Sequence, residues 1–138
     1  MQNELSFNLD LEFKDITFHS NVGTWHFVFA DRMVVGTGGF WRLLKDGKIL
    51  LVSSDHGHQF GLPKPIDLMV EIKKRFAPAR LKEIVINKNT GDLTLKLTNH
   101  FKIEIYISST GYETYDFVIN NKRYIGMGSG DIAINEVH

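Results

Sequence analysis

The chain has 138 residues, 43% of them hydrophobic and 23% charged, which is ordinary for one soluble globular domain. Lys and Arg number 16, as do Asp and Glu, so no charge excess points to nucleic acid or a membrane surface as partner. There is no cysteine, which excludes disulfides, thiolate ligands and a cysteine nucleophile.

The opening Met1-Gln2-Asn3-Glu4 carries no basic segment, and no apolar signal-like run follows it. No apolar stretch approaches the roughly 20 residues that span a bilayer. The expectation is a soluble, cytoplasmic protein with no membrane partner.

Leu5, Phe7, Leu9, Leu11 and Phe13 alternate with Ser6, Asn8, Asp10, Glu12 and Lys14, the period of a half-buried strand. Ile16 and Phe18 continue out of phase, which predicts a bulge or tight bend near Asp15. Asn21-Val22-Gly23 makes a turn, Trp25, Phe27 and Phe29 form a second alternating set, and Gly36-Thr37-Gly38-Gly39 breaks the chain again. Strands over 40–45 and 48–53 are joined by Asp46-Gly47, a pair that tolerates the positive φ of a type I′ hairpin.

Next comes Asp55-His56-Gly57-His58-Gln59-Phe60-Gly61-Leu62-Pro63-Lys64-Pro65-Ile66-Asp67. Prolines fix φ and glycines free it, so this is a shaped loop. A helix is predicted over 65–76, with Pro65 at its first position. Asp67 lies in its first turn, Lys73-Lys74-Arg75 in its last, and Pro78 stops it. The second half reads as a meander of strands near 81–87, 93–97, 101–107, 112–119, 123–127 and 132–134. The expected fold is α+β, mainly antiparallel β, with about ten strands and one substantial helix in a single domain over 1–138.

Four constellations bear on function. His56 and His58 are two apart, so on an extended segment both imidazoles face one metal, with Asp55 or Asp67 adding an oxygen. Gly57 between them turns the chain, and His19, His26, His100 and His138 show no ligand spacing. The favoured reading is therefore structural, with no metal and no cofactor. Asp55, His56 and Gln59 bond the loop's own backbone, while Phe60 and Leu62 pack on the sheet or helix. Gly36-Thr37-Gly38-Gly39 and Gly126-Met127-Gly128-Ser129-Gly130 precede strands rather than helices, so they read as turns, not phosphate loops. Ser53, Ser54, Asp55 and His56 are neighbours in sequence, which says nothing of a triad in space. Tyr112, Glu113, Tyr115 and Asp116 interleave tyrosines with acids on an expected strand, a composition that suits a protein-binding surface.

Trp41-Arg42-Leu43-Leu44, then Gly47-Lys48-Ile49, then the run from Ser53 to Asp67 resemble a group of small bacterial proteins. Some of these are encoded beside polymorphic or contact-dependent toxins and act as immunity proteins. Gly91-Asp92-Leu93-Thr94-Leu95 and Ser109-Thr110-Gly111-Tyr112-Glu113-Thr114-Tyr115 resemble the same group, which has tryptophan where this chain has Tyr115. The likeness runs through residues 25–134. It implies a cytoplasmic protein that binds and neutralises the C-terminal domain of one cognate toxin, without catalytic residues. The expected toxin-binding residues are Tyr112, Glu113, Tyr115 and Asp116. The zero net charge argues against a strongly basic nuclease as that toxin. The alternatives are a β domain that binds a small ligand or another protein, and a small metal-dependent hydrolase using His56 and His58.

Overall fold

The computed structural model of the chain describes residues 3–76 and 78–137; His138 and the Met1-Gln2 start lie outside the described residues. Among the described residues, eleven strands form one antiparallel sheet. They are β1 (Glu4–His19), β2 (Thr24–Phe29), β3 (Val34–Thr37), β4 (Phe40–Lys45), β5 (Lys48–Val52), β6 (Arg80–Asn87), β7 (Leu93–Leu97), β8 (Phe101–Tyr106), β9 (Tyr115–Ile119), β10 (Lys122–Gly126) and β11 (Ile132–Glu136). One helix, α1 (Leu68–Phe76), joins β5 to β6. The architecture is α+β and mostly antiparallel sheet, and the strands lie in the order β11-β10-β9-β3-β2-β1-β6-β7-β8-β4-β5.

The 16-residue β1 is the spine. Its first part pairs with β6 and its last part with β2, so it belongs to both halves of the sheet. The pairing with β2 slips between Phe13 and Asp15, where the doubled phase of the apolar residues asked for a bulge. The pairing with β6 slips between Asn8 and Leu11. Bulges bend a strand, and here the two halves fold over until their inner faces meet. Phe7 on β1 lies 6.1 Å from Phe117 and 5.0 Å from Tyr124, ring to ring. Trp41 on β4 stands edge-on to Trp25 and Phe27 of β2, at 5.3 and 5.1 Å. These contacts knit a single core around Trp41, Phe27, Phe29, Phe76 and Phe117.

Turn chemistry sets the hairpins. Asp46-Gly47, Asn99-His100 and Asn120-Asn121 all sit at positive φ, as type I′ loops require. Asp31-Arg32 does the same between β2 and β3. A β-hairpin loop closed by Arg32 in that conformation was not expected from composition, because arginine has no special tolerance for it.

The helix begins at Leu68, three residues later than the proline signal predicted. Asp67 is its N-cap rather than a first-turn residue, its carboxylate accepting the N–H of Met69 at 3.0 Å and of Val70 at 3.4 Å. Leu68, Ile72 and Phe76 recur every fourth residue and are all buried. Phe76 meets Phe13 at 5.0 Å and Phe101 at 5.1 Å, so α1 bridges β1 and β8 across the core.

Candidate interaction surface

The loop from Ser53 to Asp67 divides into a built base and an exposed tip. At the base, Ser53 Oγ accepts the N–H of Trp41 at 3.0 Å. His56 Nδ1 accepts the N–H of Leu68 at 3.1 Å, which places its own proton on Nε2. The His56 ring packs edge-on against the contacting pair Phe18 (5.2 Å) and Trp25 (5.0 Å). With the Asp67 carboxylate and carbonyl, this satisfies the N–H groups of the first helical turn, which have no partner within the helix. The loop closes through Gly57 N–H to the Ile66 carbonyl and Ile66 N–H to the His58 carbonyl, both 2.8 Å.

Two sequence expectations fail here. The Asp55 carboxylate accepts no hydrogen bond among the described residues; only its carbonyl does, from the His58 N–H. Phe60 and Leu62 do not pack on the sheet or helix, being 65% and 47% exposed at the tip. Phe60 stacks on His58 instead (5.6 Å), and Gln59 Nε2 bonds the Leu62 carbonyl at 2.7 Å. Gly57, at φ 84°, sends the two histidines to different neighbours, so His56 and His58 do not face a common point. Among the described residues, no three His, Cys, Asp or Glu side chains converge as around a metal ion. Ser53 and His56 are each committed to a backbone bond rather than to one another.

The Tyr112–Asp116 stretch also differs from expectation. The strand starts at Tyr115, so Tyr112, Glu113 and Thr114 belong to the loop before it. Tyr112 is 80% exposed and Glu113 is exposed, but Tyr115 is buried. Its hydroxyl donates to the Gly91 carbonyl at 2.8 Å, and its ring occupies the space a Cβ on Gly126 would need. Burial, with the nearby Asp92 carboxylate, pushes its phenol pKa well up. Tyr115 is thus a core residue, and it drops out of the expected binding set.

Asp116 points the other way, onto the outward face of β2, β3, β9, β10 and β11. The register runs Thr17–His26–Gly36–Asp116–Ile125–Ala133 across this face. Val28 faces Val34 in the next row, and Val118 faces Arg123. Val28, Val34, Val118, Ile125 and Ala133 are all partly exposed, and none belongs to the core cluster. Gly36 has no side chain, so His26 and Asp116 lean over it: a Cβ there would lie 3.0 Å from Asp116 Oδ1 and 3.3 Å from His26 Cδ2.

The outward face of the other half carries several ion pairs. Asp10 holds Arg80 at 2.6 Å and Lys82 at 3.4 Å, and Glu83 pairs with Lys96 at 3.5 Å. Glu104 takes Arg42 at 2.7 Å and the Tyr106 hydroxyl at 2.7 Å. Burial works to raise the Glu104 pKa, but these two hydrogen bonds prevail and hold it below the usual range. Burial and the bond to Glu104 push Tyr106 up to about 12.

The signal that would have located the apolar face is in the sequence. Along β1 the outward slots before the bulge are Ser6, Asn8, Asp10 and Glu12, whereas on β2, β3, β9 and β10 they include Val28, Val34, Val118 and Ile125. Comparison with protein-family models, with curated proteins and with solved structures found no match. Among the described residues, no helix is long and apolar enough to cross a membrane.

Proposed function

We propose that this chain is an immunity protein of the cytoplasm that binds the C-terminal domain of a cognate bacterial toxin and neutralises it by occlusion. The resemblance of the Trp41–Asp67 and Gly91–Tyr115 runs to immunity proteins supplies the class. The observation that carries the reading in this molecule is the outward face of β2, β3, β9 and β10. It carries Val28, Val34, Val118 and Ile125 with a single ion pair, Asp116 with Arg123, and the exposed Val22 lies beside it. Interface cores are depleted of charge and enriched in aromatic anchors, and an exposed apolar sheet face of this kind marks a place where another surface docks. Of the four residues expected to bind, Tyr112, Glu113 and Asp116 remain at the surface, with Asp116 on this face and Glu113 beside it.

Docking without chemistry also suits the polar groups. Ser53, His56 and Asp67 are engaged in building the loop and the helix start, which supports this reading. The test is co-expression. A toxin domain encoded upstream should kill cells when expressed alone and spare them when this chain is present, and the two should co-purify as a stable complex. Failure of both protection and co-purification rejects the reading.

A further inference from the structure

The sheet ends in two edge strands, β5 and β11. On β5, Leu51 faces Leu43 and Ile49 faces Leu44, so Leu50 is an extra residue, and Lys48 opens the strand. A bulge and a lysine are devices that keep other strands off an edge. β11 has neither. Its five residues, Ile132–Glu136, pair with β10 without a slip and include no lysine or proline. The bonds that bracket this pairing fix its phase: Met127 N–H donates to the Asp131 carbonyl and Val137 N–H to the Asn121 carbonyl, at 2.7 and 2.8 Å. Bonded pairs alternate along an antiparallel ladder, so Ala133 and Asn135 spend their N–H and C=O groups on β10. Those of Ile132, Ile134 and Glu136 point out from the sheet, and among the described residues no strand pairs with them and no loop bonds them. The core runs out at the same place. Phe117, Tyr124 and Ile134 form one row across β9, β10 and β11 on the inner face, and their exposure climbs from 1% through 8% to 52%. Phe117 stacks on Tyr124 at 5.3 Å, whereas Ile134, at the end of the row, is half in solvent.

We propose that a second copy of this chain pairs with β11, antiparallel and across a two-fold axis at Ile134. In that register Ile134 faces the partner's Ile134, and Ile132 faces the partner's Glu136 on either side of it. Each pairing joins residues whose N–H and C=O groups are free, so each exchanges two backbone bonds. The edge is thus complementary to itself in phase and in length, as the shared patch of a two-fold dimer must be. The side chains agree with the backbone. The inner row of Phe117, Tyr124 and Ile134 runs on into the same three residues reversed, and an apolar cross-strand pair at its centre adds to the ladder. Glu136, the one charged residue of the strand, faces Lys122 on β10 and lies at the far end from the partner's Glu136, so like charges do not meet. A strand pair of this length buries less than the roughly 1,600 Å² of a standard interface, so the dimer is weak and exchanging. It leaves the outward face of β2, β3, β9 and β10 open and does not rest on the immunity reading.

Sedimentation equilibrium of the full chain, from about 1 µM to about 1 mM, should show monomer and dimer exchanging with a Kd on the order of 10 µM. Ile134→Pro is the sharpest variant. The Ile134 N–H is not bonded to β10, so proline there removes no bond of the fold but takes away the central bonds of the dimer. It should weaken association at least about tenfold while the protein stays folded. Ile134→Lys sets two ammonium groups opposite one another and should do the same, which keeps the test open if the proline variant misfolds. Ile49→Lys on the β5 edge should leave association unchanged. The chain has no cysteine, so Ile134→Cys supplies a single thiol. Opposite residues of a bonded pair have Cα atoms about 5.5 Å apart, within the reach of a disulfide. Mild oxidation should therefore give a covalent dimer from Ile134→Cys and none from Ile49→Cys. A chain that stays monomeric at the highest concentration, a dimer that survives both substitutions at Ile134, or equal cross-linking by the two cysteine variants would overturn the proposal. So would protection of the Ile134 amide from hydrogen exchange that appears only when the toxin domain is added, which would assign the edge to the toxin instead.

Discussion

Set side by side, the outward face of β6, β7, β8 and β4 carries an ion pair at almost every second slot. That of β2, β3, β9 and β10 carries one, Asp116 with Arg123, among the described residues. Both faces back onto the same core, so the difference lies entirely in the slots that folding leaves outside. Charged slots are hydrated, and covering them costs the hydration of every ion. Branched apolar slots lose little when covered and return about 25 cal/mol for each Å² buried. Covering the charged face is therefore the costlier of the two, and the proposed docking falls on the other.

The sharpest way to break this comparison is to charge the apolar face. Ile125→Lys is expected to weaken toxin binding by about 100-fold or more and to abolish protection, because it replaces an apolar contact with a charge whose hydration is lost in the complex, even with Asp116 opposite. Thr94→Lys on the other face should change affinity by less than about threefold, since it adds one more solvated charge there. Calorimetric titration of both variants, with melting temperatures as the folding control, decides the matter. Equal losses from the two would mean that the faces do not differ in role.

A stability loss must be told from a binding loss, and the loop base provides the reference. His56→Ala strands the Leu68 N–H and removes the ring packed against Phe18 and Trp25, so it should cost about 1–3 kcal/mol in urea unfolding. Asp55→Ala should stay within about 0.5 kcal/mol of the parent, as its carboxylate holds nothing. A large loss there would mean that the Asp55 side chain is structural, and unchanged stability with lost binding would mark it as functional. Tyr115→Phe removes the bond to the Gly91 carbonyl beneath the apolar face, for about 1–2 kcal/mol, with toxin affinity unchanged. Lost affinity in that variant would return Tyr115 to the binding set.

The smallest expected effect is alkaline. Tyr106 belongs to the charged face, and its phenol ionises near the model value of 10.0 when unfolded but at about 12 when folded. Above pH 10 the folded chain thus holds a proton the unfolded chain has released. Stability is full below pH 10 and falls as pH climbs toward 12. Tyr115 is shifted in the same direction and adds to the slope. Melting curves from pH 9 to 11.5 should flatten slightly in Tyr106→Phe, and an unchanged slope would deny the Glu104 bond its role.

Much of this molecule follows from local chemistry. Alternation of apolar and polar residues makes strands wherever it occurs, Asp-Gly and Asn-Asn close hairpins because they accept positive φ, and the phase slip at Asp15 demands a bulge. Those rules act over a few residues, so the α+β class, the antiparallel sheet and the helix were readable in order along the chain. The helix start was misplaced because Pro65 and Asp67 are both start signals. The cap bonds to Met69 and Val70, together with His56 on Leu68, chose the later one. What only the tertiary structure decided is which side of each strand ends up inside. Tyr112 and Tyr115 look alike in sequence, yet one is in solvent and the other is locked under Gly126, because β9 pairs with β10 in that register. The apolar face exists only once β1 has bent and set β2, β3, β9 and β10 side by side. Its valines and isoleucine come from strands separated by up to ninety-odd positions, and closing such long-range pairings is a global balance of loop entropy and burial that no short window contains.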